Sequence, residues 1–249
     1  MKILVCISNV PDTTTRVRFS NDGTRFDAGG VQWIINPWDE LALTRAVEMK
    51  EDASCPVSMI TVLTVGPAHA EPTLRKALAI GADEAVRVDC ESDDAHYIAA
   101  QIAAVAGQRD DDIILCGIES SDYNGSSVGG MVAEMLQVPS VSAVSSIHTE
   151  DGRVVVTRDI DGGKEEVSVP LPFVGVVQKG IAREPRIAAM RGIMMARQKP
   201  LRVVPAVEAG ALTAFQEFRL PEPKPPCRMI DPDHIRELVD LLQNDAKVL

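Results

Sequence analysis

Short apolar runs alternate with helix-patterned stretches through the first 140 residues, and this alternation constrains the fold more than any other feature. Residues 2–8 read as a buried strand, and residues 37–50 as a helix carrying Leu41, Leu43, Ala46, Val47 and Met49. Residues 57–65 form a second strand ending at Gly66-Pro67, and residues 71–81 a helix stopped by its glycine. A short strand (85–89), an alanine-rich helix (93–107), a strand opening into Gly117 (112–116) and a further helix (125–136) complete the series. Strict alternation with short connections implies right-handed βαβ units and a parallel sheet. Such sheets bind ligands at the carboxyl ends of their strands.

The pattern changes after Val138. Residues 141–148, 153–159 and 166–169 are β-rich, with turn signals at Glu150-Asp151-Gly152 and Asp161-Gly162-Gly163 between them. They predict an antiparallel extension of the same sheet or a small β lobe, and residues 171–177 add one more β segment. Residues 183–202 are irregular. Residues 204–228, with prolines at 205, 221, 223, 225 and 226, predict a connector that drapes over something else. Residues 232–248 predict an amphipathic helix with Ile235, Leu238, Val239, Leu241 and Leu242 along it.

Composition narrows the partners. Aromatic residues are 4% of the 249, so the core must be aliphatic. The net charge of −11 repels phosphate backbones and anionic lipids, which argues against nucleic acid and the membrane and for proteins or small molecules. The apolar run at the N-terminus is too short for a signal segment or a span, so the expected location is cytoplasmic. Cys6, Cys55, Cys90, Cys116 and Cys227 include no C-x-x-C pair and read as buried free thiols, and the four histidines lie at no metal-ligand spacing. No metal site is expected. No Ser–His–Asp or paired-carboxylate constellation is present, and Glu165-Glu166 reads as a solvated strand edge, so no catalytic residue is assigned.

Three segments carry recognition chemistry. The first runs from Gly117 through Ser121, Asp122, Tyr123, Asn124, Gly125, Ser126 and Ser127 to Val128, between a buried strand and a helix. Small residues admit a ligand to the backbone, and a helix N-terminus offers free N–H groups, so a phosphate fits; an N-capped helix start explains the same residues. No Lys-Ser/Thr follows the glycines, which excludes a P-loop. The second is Asn36-Pro37-Trp38-Asp39-Glu40, with Trp33 just before it. Capping by Asn36 or Asp39 accounts for most of it, and two indoles near a strand end also suit a nucleotide wall or an interface. The third, residues 183–202, sets six basic side chains against one acidic in an otherwise acidic chain and includes Met190, Met194 and Met195. It is either a docking surface with adaptable thioethers or a solvated basic turn.

Together, and in this order, these segments resemble the electron transfer flavoprotein beta subunit from Lys2 to about Leu201. The resemblance is carried by Ile3-Leu4-Val5-Cys6-Ile7, Asn36-Pro37-Trp38-Asp39-Glu40, Val65-Gly66-Pro67-Ala68, Leu74-Arg75-Lys76-Ala77-Leu78, Gly81-Ala82-Asp83, Asp161-Gly162-Gly163 and Glu184-Pro185-Arg186. It implies an α/β, Rossmann-like, adenine-nucleotide-binding fold: a domain over 1–202, containing the β insert (141–177) and a recognition loop (180–202), and an arm over 203–249 packing on a partner subunit. It also implies an alpha subunit holding most of an FAD, and a structural AMP in this chain at Cys6, Asn36, Pro37, Trp38, Asp39, Val65 and the Gly117–Val128 loop. That loop departs from the usual family wording at Ser126, Ser127 and Val128. Docking to flavoprotein dehydrogenases would fall to Arg186, Met190, Arg191, Ile193, Met194 and Arg197, with a membrane quinone oxidoreductase as acceptor. Thr13 stands where some members carry an aromatic residue. Asp94-Ala95-His96-Tyr97-Ile98-Ala99 departs from the run seen in electron-bifurcating members, which points to the AMP-binding, non-bifurcating type. A universal-stress-type nucleotide-binding protein shares a similar core but has no use for the β insert, the basic segment or the arm.

Overall fold

The computed structural model describes residues 1–224 and 226–249; Pro225, one of the prolines of the expected connector, lies outside them. In chain order the elements begin with β1 (Lys2–Cys6), β2 (Asn9–Pro11), β3 (Trp33–Ile35), α1 (Pro37–Glu51), β4 (Met59–Val65), α2 (Glu71–Ile80) and β5 (Glu84–Asp89). Then come α3 (Ala95–Ala106), β6 (Ile113–Gly117), α4 (Val128–Leu136), β7 (Ser140–Glu150), β8 (Arg153–Ile160) and β9 (Gly163–Val169). The last are β10 (Phe173–Val177), α5 (Met190–Ala196), β11 (Leu201–Pro205) and α6 (Ile235–Asp240).

Nine strands form one sheet in the order β11-β5-β4-β1-β6-β10-β7-β8-β9. The pairings from β11 to β7 are parallel, and β8 and β9 extend the sheet antiparallel. The alternation read from the sequence thus gives a parallel sheet, and the β-rich segment is an extension of it. Side chains of β1 point alternately to two cores, as strand geometry requires. Ile3 and Val5 pack with Leu43, Val47 and Leu74 on the α1/α2 face, and Leu4 and Cys6 with Ile102, Cys116 and Val132 on the α3/α4 face. Phe173 is the one aromatic among the largest fully buried side chains; the rest are aliphatic.

Four local expectations change. The stretch read as irregular contains α5, and β11 pairs with β5 over Leu201–Pro205, where the prolines predict a connector from residue 204. Pro205 fits there because it lies at the end of an edge strand, where no further strand needs its missing N–H. The single amphipathic helix expected over 232–248 is a 3₁₀ turn (Pro232–His234), the short α6 and a π turn (Leu241–Asp245). Its Ile235, Leu238 and Val239 stay exposed, so the packing that normally consolidates an amphipathic helix is missing. Of the cysteines, Cys6, Cys55 and Cys116 are buried, whereas Cys90 is half-buried and Cys227 exposed; all are free.

Candidate functional site

β1 lies between β4, reached next among the parallel strands, and β6, reached after the chain reverses direction across the sheet. A crevice opens outside the carboxyl ends of strands at such a switch point. Here it is a cavity of about 300 Å³ floored by Cys6, Ile7 and Ser8 after β1, Leu63 and Val65 of β4, and Cys116 and Gly117 of β6.

Asp39 organises the floor. It is buried, with Oδ2 accepting from Ser8 N at 2.7 Å and Oδ1 from Gly117 N at 2.9 Å, so one carboxylate ties the exits of β1 and β6 to the first turn of α1. Burial raises its pKa from the ordinary carboxylate range to about 7, against the lowering effect of these hydrogen bonds. Asn36, also buried, holds the next loop: its Nδ2 donates to Glu119 O at 2.8 Å and its Oδ1 accepts from Ser121 N at 3.2 Å. This corrects the capping assignment. α1 starts without a side-chain cap, because both candidate caps are spent on contacts about 80 residues away. On the opposite wall, Arg87 Nη1 donates to Gly66 O at 2.9 Å and fixes the turn that leaves β4.

Of the residues singled out from sequence, Cys6, Asp39, Val65, Gly117, Asp122, Gly125, Ser126, Ser127 and Val128 line the cavity together. Asn36, Pro37, Trp38, Ser121 and Asn124 do not; they stand behind the wall or shape the loop. Trp33 lines the cavity with its ring tilted 41° against His69, ring centroids 4.8 Å apart, while Trp38 sits beneath Gly117. The two indoles therefore do different work. Sequence reading misses Ser8, His69 and the rim residues Glu91, Ser92 and Asp93, which only the strand order brings to the site.

A Cβ at Gly117 would collide with Asp39 Oδ1 and lie 2.9 Å from Trp38 Cβ, so only glycine lets the backbone pass here. Asn124 and Ser126 take left-handed φ of 51° and 48°, bending the loop toward the start of α4. The first N–H groups of that helix have no intrahelical acceptor and suit an anion. Among the described residues no lysine or arginine lines the cavity, whereas Glu91, Asp93, Glu119 and Asp122 do. An anion would be held by main-chain N–H groups and serine hydroxyls such as Ser127, and the carboxylates suit ribose hydroxyls or a base amino group. The neighbouring Cys116 and burial push the Cys6 pKa well up, so it stays a thiol. Among the described residues, no group of three or more His, Cys, Asp or Glu is arranged to hold a metal ion.

The profile of the electron transfer flavoprotein domain matches residues 24–209. The chain belongs to the electron transfer flavoprotein family. The electron transfer flavoprotein subunit beta of Syntrophomonas wolfei is 33% identical over 253 residues, covering all of this chain and 98% of that one. The subunit beta of Bacillus subtilis is 30% identical over 266 residues, covering all of both. The acryloyl-CoA reductase electron transfer subunit gamma of Anaerotignum propionicum is 33% identical over 212 residues, 82% of this chain and 77% of that one.

In this electron transfer flavoprotein chain the basic segment forms a second surface. Its backbone is pinned: Arg75 Nη1 donates to Ala196 O and Lys199 O at 2.8 Å each, and Lys199 Nζ to Leu78 O at 2.9 Å and Ala82 O at 2.6 Å. Gly192 lets α5 approach α2 so closely that a Cβ would collide with Ala79 O. Arg186 pairs with both carboxylate oxygens of Glu51 at 2.6 and 2.7 Å, so it anchors the segment as well as charging it. The apolar side chains point outward: Ile187 is 90% exposed, Met190 73% and Met194 68%, with Ile193, Arg191 and Arg197 exposed beside them. No helix among the described residues is long and apolar enough to cross a membrane.

Proposed function

We propose that this beta-type chain pairs with an alpha subunit as a heterodimeric electron carrier. In it, this chain supplies a nucleotide-stabilised scaffold and the docking surface, and does no bond-making chemistry itself. The observation that carries this reading is the cavity built on the Asp39 clasp at the strand switch, in a chain that matches beta subunits over its whole length.

The occupant of the cavity is an adenine mononucleotide, AMP. A volume of about 300 Å³ is at the lower end for drug-sized ligands and suits a mononucleotide better than a dinucleotide. The Gly117 cradle supports close approach to the main chain, and the start of α4 would take the phosphate. FAD, held mainly by the alpha subunit, would supply the redox centre. This chain's residues would shape its surroundings, with Pro11, Asp12 and Thr13 at the loop nearest the flavin.

Electrons would arrive from flavoprotein dehydrogenases, of acyl-CoA type, and leave toward a membrane quinone oxidoreductase. The exposed Met190, ringed by Arg191 and Arg197, supports docking: an apolar plug gives contact and the surrounding charge orients an acidic partner patch. The exposed apolar side of α6 supports an arm that finishes its packing on the alpha subunit. Co-expression with a candidate alpha subunit tests the proposal. A yellow 1:1 complex that releases AMP on denaturation is expected, and a colourless homodimer overturns it.

A further inference from the structure

The chain has only five Phe and two Tyr, yet three Phe and one Tyr stand in a single ladder on the surface. Tyr123 stacks on Phe215 with ring centroids 5.1 Å apart, Phe215 on Phe218 at 5.2 Å, and Phe218 on Phe19 at 5.2 Å. The ladder joins three segments remote in sequence: the cavity loop, the C-terminal arm and the long loop between β2 and β3.

The arm is anchored without help from the cavity loop. Gln101 on α3 pairs reciprocally with the Val207 backbone, Nε2 donating to its carbonyl at 2.9 Å and Oε1 accepting from its N–H at 2.7 Å. Asp94 accepts from Leu212 N, Thr213 N and Thr213 Oγ1 through Oδ2, while its Oδ1 caps α3 at Tyr97 N. Phe218 N then donates to Gly23 O at 2.8 Å. The arm therefore reaches Phe215 as a fixed rail along α3.

The cavity loop needs such a rail on one half only. Asn36 clamps its first half through Glu119 and Ser121. Its second half carries the two left-handed residues, Asn124 and Ser126, a backbone conformation that other contacts must hold in place. Its bonds out of that half are Tyr123 Oη to Asp93 at 3.0 Å, Asn124 N to Ser120 O at 2.9 Å and a long contact from Ser126 Oγ to Glu119 at 3.4 Å, so among the described residues no side chain outside the loop but Asp93 and the ladder holds it. Tyr123 lines the cavity with one side and meets Phe215 with another.

We propose that residues 207–218 brace the nucleotide loop, and that Tyr123 and Phe215 are positioning residues that set how long a mononucleotide stays in the cavity. The inference rests on the nucleotide reading above. By holding the Tyr123 half of the loop in its bent form, the arm keeps the N–H groups near the start of α4 aimed into the cavity before any ligand arrives. Preorganisation of this kind slows release.

The test uses the full-length chain in complex with its partner subunit, with fluorescently labelled AMP as probe. Phe215→Ala removes the stacks on both Tyr123 and Phe218, and loss of the Tyr123 stack should release the probe up to about tenfold faster. The variant's melting temperature should fall by no more than a few degrees, and Phe215→Tyr should restore slow release. Backbone hydrogen exchange over residues 117–128 should rise in Phe215→Ala and return in Phe215→Tyr. Unchanged release and unchanged exchange overturn the brace. If the wild-type complex binds no AMP, the nucleotide reading falls, and exchange alone then decides the brace.

Discussion

The Asp39 carboxylate and the Gly117 amide, 78 residues apart, meet at 2.9 Å and join the first turn of α1 to the end of the central strand β6. The other Asp39 oxygen takes Ser8 N, so removing the side chain strands two main-chain N–H groups at once. Asp39→Ala should lose about 1–3 kcal/mol for each N–H left unpaired, measured by urea unfolding, and should lose nucleotide binding. Gly117→Ala should mimic it by driving the carboxylate out of place. Gly130→Ala is the control: Gly130 is not among the residues lining the cavity, its added methyl group meets nothing within 4 Å, and binding should persist.

The same carboxylate makes stability depend on pH. Its folded pKa of about 7 lies above the unfolded value, so between roughly pH 4 and pH 7 the native state holds the proton more tightly than the unfolded chain. Its contribution is present in full below the unfolded pKa and is lost as pH rises through the folded one, with a slope of up to about 1.4 kcal/mol per pH unit. Unfolding midpoints at pH 5 and pH 8 should differ by more in the wild type than in Asp39→Asn. Equal differences would show that Asp39 does not titrate in this window.

Glu119 places a carboxylate on the wall of the cavity proposed to hold AMP, with no lysine or arginine among the described lining residues to offset it. Glu119→Gln keeps an acceptor for Ser126 Oγ and removes the charge. AMP affinity should rise by about 0.5–1 kcal/mol, as expected for a screened like-charge pair in a solvent-open site. Calorimetric titration showing weaker binding would mean that the Glu119 carboxylate is itself a ligand contact.

On the second surface, Met190→Glu should cut electron transfer from a donor dehydrogenase while leaving AMP binding and stability unchanged, since Met190 is 73% exposed. Reversing Arg191 and Arg197 to Glu should raise the donor KM most at low ionic strength and little near 1 M salt, where screening removes long-range steering. Stopped-flow reduction of the flavin complex at the two salt concentrations distinguishes loss of steering from loss of fold.

The parallel sheet was legible because β1, β4 and β6 are largely apolar runs separated by helical periodicity, and burial on both faces dictates that pattern locally. The loop after β6 was legible as a cavity wall because its glycines and hydroxyl residues stand at consecutive positions, a local pattern. The edge strand β11 was not. Its residues are mostly exposed, and only the open flank of β5 makes them a strand.

The sequence by itself determined the layers, because periodicity is a local property that survives without knowledge of partners, and its short motifs carried the family resemblance; the switch point came only with the strand order. Only the tertiary structure decided what Asn36, Asp39 and Trp33 do. Near-neighbour chemistry offers the two polar side chains a helix cap, but strand order places Gly117, Glu119 and Ser121 within reach, and a buried carboxylate or amide goes to the main-chain groups that would otherwise be left unpaired. The arm's aromatic ladder is the same kind of fact: Phe19, Tyr123, Phe215 and Phe218 share no local pattern, and they become one structure only where α3 carries the arm past the loop.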